Sequence, residues 1–141
     1  FFMKTRIWTA RILIIAVLVM NLMAAVDFIL NPRPFARGFE LEGVIGDAAI
    51  RGIGILFLMW NVPYVFAAWH PVRNKISYIE AILMQTIGVV GESLLYLNLP
   101  AEIEKADKAV LRFIIFDSGG LVFLLAGLIL IIPIIKGKYE H

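Results

Sequence analysis

Val110–Ile135 reads VLRFIIFDSGGLVFLLAGLILIIPII, with Arg112 and Asp117 its only charged residues. A helix needs about 20 predominantly apolar residues to cross roughly 30 Å of hydrocarbon, and this stretch exceeds that length. Three further runs match it: Ile7–Leu30, about Ala48–Trp69, and Ile76–Leu99. None shows the alternating segments of about ten residues that a membrane β-barrel requires. In lipid the backbone must satisfy its own hydrogen bonds, so all four runs are expected to be helical.

The whole composition agrees. Of 141 residues, 61% are hydrophobic and 17% are charged, and the mean hydropathy is +0.88. A small globule has too little interior to hide that excess. The expectation is an all-α polytopic membrane protein, with residues 1–141 forming one antiparallel four-transmembrane-helix bundle. The net charge of +2 implies no nucleic-acid partner, and zero cysteines exclude thiol redox chemistry and cysteine-based metal sites. No metal site and no cofactor is expected. Ile7–Leu30 has Lys4 and Arg6 ahead of it, as a signal peptide would. It is too long for one and reads as a retained span.

Loop one, Asn31–Gly46, carries Phe35, Phe39, Leu41, Val44 and Ile45. It is too apolar for a free linker and is expected to lie ordered on the outer mouth of the bundle. Loop two, His70–Lys75, is a tight basic turn, and Pro100–Ala109 is a charged loop with at most one helical turn. Basic residues at Lys4, Arg6, Arg73, Lys75, Lys136 and Lys138 favour cytoplasmic termini under the positive-inside rule. The expected location is the cell (inner) membrane.

Polar groups inside spans need a reason, because a charge at a helix centre costs about 3 kcal/mol on insertion scales. In helix two, Asp47, Arg51, Gly54 and Asn61 are read as one stripe, with Asp47 and Arg51 spaced to pair. In helix three, Tyr78, Gln85 and Glu92 stand seven apart, and helix four adds Asp117. An up-down-up-down order brings Glu92, Asp117 and Arg51 into one outer-half cavity. Asp47, Gln85 and Asn61 complete the candidate ligand-binding set. Asn61-Val-Pro63 should kink helix two near its middle. Against this stands a plainer reading: an interfacial Asp47–Arg51 pair, a snorkelling Arg112, and Gln85 and Asn61 as interhelical glue.

Asp47-x3-Arg51-Gly52-x-Gly54 and Gly88-x-x-Gly91-Glu92, with the size and the four spans, resemble the small bacterial DoxX-like membrane proteins. The resemblance implies the four-helix fold. Some members are accessory parts of membrane redox systems, and no catalytic residue carries over. Three functions stay open at this point. The first is binding of a small cationic, polar or amphipathic ligand, with or without transport. The second is a structural or accessory subunit of a larger complex or homo-oligomer. The third is a membrane enzyme using Glu92 and Asp117 as acid and base. Besides such a ligand or subunits, the lipid bilayer is the expected partner.

Overall fold

The computed structural model describes residues 2–100 and 102–137, so Lys138 and His141 lie outside the described residues. Six helices follow in order: α1 (Phe2–Leu30), α2 (Arg33–Gly38), α3 (Gly43–Trp60), α4 (Val62–Trp69), α5 (Lys75–Asn98) and α6 (Glu104–Gly137). No strand occurs among the described residues. With α3 and α4 taken together, four helices are long and apolar enough to cross a membrane. The windows in α1 and α6 have a mean hydropathy of 2.6, against 1.5 for α3–α4 and 1.3 for α5. The difference reflects where the polar residues sit: the two middle spans carry most of them.

The helices overrun the apolar runs. The first begins at Phe2 rather than Ile7, the second at Gly43 rather than Ala48, and the fourth at Glu104 rather than Val110. Pro100–Ala109 is therefore not a loop over most of its length. A hydrocarbon boundary limits apolarity, not helicity, and Lys105, Ala106, Lys108 and Ala109 are residues that propagate a helix well.

Breaks have local causes. Pro32 and Pro34 end α1 and open α2, where Pro34 sits in the first turn and needs no N–H partner. Glu40 closes α2 at φ 56, in the left-handed region. The Leu41 N–H then reaches back to the Ala36 carbonyl at 2.9 Å, the six-to-one bond that ends many helices. In the second span Pro63 offers no N–H to the carbonyl four residues earlier. The helix breaks at Asn61, whose side-chain amide donates to the Phe57 carbonyl at 2.6 Å. Arg11 Nε donates to the Ala68 carbonyl at 3.0 Å, so α1 satisfies one of the carbonyls that the end of α4 leaves open.

The four spans close a ring. α1 packs on α6 and on both halves of the second span, α5 packs on α6, and α4 packs on α5. α3 does not follow α4 onto α5: its main partners are α1 and α2. The break at Asn61 thus parts α3 from α5. Two cores result. Near the chain termini, Ala10, Ile14, Val17, Ala67, Ala81 and Leu124 pack tightly around Tyr64 and Tyr78. At the α2 end, Phe28, Ala36 and Ile50 are covered by Phe35, Phe39, Phe57 and Phe113.

Loop one docks on the bundle through its first half only. Phe35 and Phe39 join the second core, but Val44 and Ile45 are 84% and 83% exposed. Both belong to the first turns of α3 and point away from the bundle. Amide exchange in lipid should accordingly be slow at Ala36 and Leu41, whose N–H groups are bonded within the turn. Exchange there as fast as in a free peptide would contradict the docked α2.

Candidate functional site

Asn21, Asn61, Gln85 and Asp117 are the buried polar residues among those described, and all four line one cavity of about 330 Å³. Tyr64, Gly88 and Glu92 line it too, with Trp60 and Ile87 at its edge. The heptad spacing of α5 explains two of its contributions, Gln85 and Glu92, and Tyr78 lies one heptad earlier, in the apolar core rather than the cavity. Tyr78 and Gln85 are buried, Glu92 is half-buried, and all three follow one face of the helix. α6 contributes Asp117, and the break in the second span turns Asn61 inward.

Two sets of hydrogen bonds run across the cavity. Asn21 Nδ2 donates to Asn61 Oδ1 at 3.1 Å. The Tyr64 hydroxyl lies against Gln85 Oε1 and the Ala81 carbonyl. Gln85 Nε2 donates to the Asp117 carbonyl and to Asp117 Oδ1, both at 3.1 Å. Interhelical bonds of this kind average about 0.6 kcal/mol in membranes, so their larger role is to fix side-chain positions. Gly88 allows the approach of α6: a Cβ there would stand 2.5 Å from Asp117 Oδ2.

The Glu92 and Asp117 carboxyl groups line the same cavity. Glu92 Oε2 is buried and has no hydrogen-bond partner. Among the described residues, no lysine or arginine lines the cavity. Two carboxyl groups therefore meet there with an open acceptor and no cation among the lining residues.

Of the candidate set, Glu92, Asp117, Gln85 and Asn61 line this one cavity. Arg51 and Asp47 do not join them. Arg51 is exposed and its Nε donates to the Ile29 carbonyl at 3.2 Å. Asp47 pairs with Arg33 of α2 at 3.5 Å, not with Arg51. The reason lies in the stripe. The buried face of α3 runs Gly46, Ile50, Gly54, at intervals of four, and leaves Asp47 and Arg51 one position off it. Asn21 and Tyr64 are the members that spacing arguments missed. Asn21 is the lone amide within a long apolar helix, which was a usable signal. Tyr64 had none, because a tyrosine at that place fits an aromatic belt equally well.

The result is a hydrogen-bonded polar cavity walled by Phe57, Trp60 and Met84. No family model, curated protein or solved structure matches the chain.

Proposed function

We propose that the four apolar helices form an antiparallel bundle in the cell membrane, with both termini cytoplasmic, and that the chain binds a lipophilic amine in the Glu92–Asp117 cavity. The DoxX-like resemblance enters this reading as a proposal about fold alone. Residue contacts support the antiparallel order. Ala10, early in α1, meets Gly127, late in α6. Phe28, near the end of α1, meets Phe113, early in α6, with ring centres 5.7 Å apart. Cysteines placed at Asn74 and Lys105 should be labelled by an impermeant reagent from opposite sides. Labelling of both from one side would overturn the topology.

One observation carries the binding reading: Glu92 Oε2 is a buried acceptor without a donor, beside a second carboxyl group and no cation. Leaving such a group unmatched costs more than a neutral gap would. An ammonium group supplies the donor and the charge together. The aromatic rings of Phe57, Trp60 and Tyr64 around it suit a cation attached to an apolar body. The tight apolar packing between the cavity and the chain termini supports binding rather than passage through the bundle.

The test is a calorimetric titration of the lipid-embedded protein with phenethylamine. One-site binding is expected. It should weaken as pH falls, because protons compete with the ammonium for the same carboxyl pair. Benzyltrimethylammonium, which has no N–H, should bind more weakly. Absence of binding by either cation at neutral and mildly alkaline pH would remove this reading.

A further inference from the structure

A second cavity, of about 380 Å³, lies between α1, α2 and α6. Phe28, Phe35, Phe39, Phe57, Phe113 and Phe116 wall it. Their rings brace one another: Phe28 meets Phe35 edge-on at 4.4 Å and Phe57 at 5.6 Å. The chamber is therefore preformed and does not depend on a ligand to hold it open.

Its two charged lining residues come from facing helices. Asp27 belongs to α1 and Arg112 to α6. Both are exposed. Among the described residues, neither Asp27 nor Arg112 has a side-chain ion pair or hydrogen bond, with the other or with a neighbour. An apolar chamber thus carries one anion and one cation at its edge. That pattern matches a molecule with a hydrocarbon chain and a zwitterionic head. The planar guanidinium fork suits a phosphate. The carboxylate suits an ammonium with N–H groups to donate. A choline head has no N–H to offer Asp27, and an anionic head offers it no charge.

We propose that this cavity holds an acyl chain of a phospholipid of the phosphatidylethanolamine class, with its phosphate on Arg112 and its ammonium on Asp27. The site is separate from the Glu92 cavity. Phe57 lines both and stands between them.

Native mass spectrometry of the protein in mild detergent tests it, with dioleoyl phosphatidylethanolamine, phosphatidylcholine and phosphatidylglycerol added in turn. Wild type should retain the ethanolamine lipid about tenfold or more over the other two, the ratio expected from one charge-assisted hydrogen bond. Asp27→Asn should erase the preference over phosphatidylglycerol while leaving retention of that lipid intact. Arg112→Gln should lower both. Ala24→Leu, which fills the lining of this cavity alone, should lower retention of all three and leave phenethylamine binding unchanged. Equal retention of the three lipids by wild type overturns the proposal, and so does an unchanged preference in Asp27→Asn. The wild-type arm decides even if a variant fails to fold.

Discussion

Glu92→Gln is expected to lower phenethylamine affinity by roughly ten- to hundredfold while leaving thermal unfolding in detergent almost unchanged. The range follows from removing one hydrogen bond to a charged group, worth about 1.5–3 kcal/mol. The fold should survive because Glu92 Oε2 has no partner to lose and glutamine keeps the volume. Asp117→Asn should behave differently. Gln85 Nε2 already engages Asp117 Oδ1, so Asp117 positions the network as well as charging it. An asparagine oxygen can still accept that bond, so stability holds and affinity falls less than in Glu92→Gln. Asp117→Leu removes the side-chain acceptor and should destabilise the protein. Equal affinity in wild type and Glu92→Gln would show that the open acceptor is not the binding group.

Gly54→Val should lower stability clearly, because the added side chain would wedge α3 off α1. A Cβ at Gly54 would stand 2.8 Å from Ile29 Cγ1, 2.9 Å from the Ala25 carbonyl oxygen and 3.0 Å from Phe28 Cβ. A side chain can turn aside, but a backbone oxygen moves only with its helix. α3 would therefore be pushed off α1, at a cost of about 1–3 kcal/mol or more. The Phe28–Phe57 contact at 5.6 Å would open with it, so amine binding should fall too. Gly52→Ala is the matched control. No atom lies within 4 Å of a Cβ at Gly52, and alanine gains about 1 kcal/mol of helix propensity over glycine. A lower unfolding midpoint for Gly54→Val and an unchanged or higher one for Gly52→Ala are expected from detergent melts. The reverse order would mean that α3 does not pack as described.

The four long apolar helices were legible because a run of that length and apolarity has few alternatives, whereas the short α2 and the split of the second run into α3 and α4 were not counted. The heptad Tyr78–Gln85–Glu92 was legible for a similar reason, since a span with one polar face has to turn it inward. Helix ends were not legible, as Glu104–Gly137 shows: charged residues that leave the hydrocarbon can still continue a helix. Arg51 was misread because a spacing of seven and a spacing of four diverge around the cylinder. Over Gly46–Gly54 the packing against α1 follows the four-residue interval. Arg33–Asp47 could not be found from spacing, because α2 had to fold back before Arg33 came near the start of α3.

The parting of α3 from α5 at Asn61 sets which phase the Glu92 cavity samples. Trp60 and Ile87 at its edge are 48% and 70% exposed, on the flank of the bundle rather than at its end. In a bilayer that flank meets acyl chains, not bulk water. Molecules would then be sorted twice, first by oil–water partitioning and only afterwards by the carboxyl pair. Each additional buried methylene shifts the first equilibrium by about 0.8 kcal/mol, so homologous amines of increasing length would gain apparent affinity without touching one more residue.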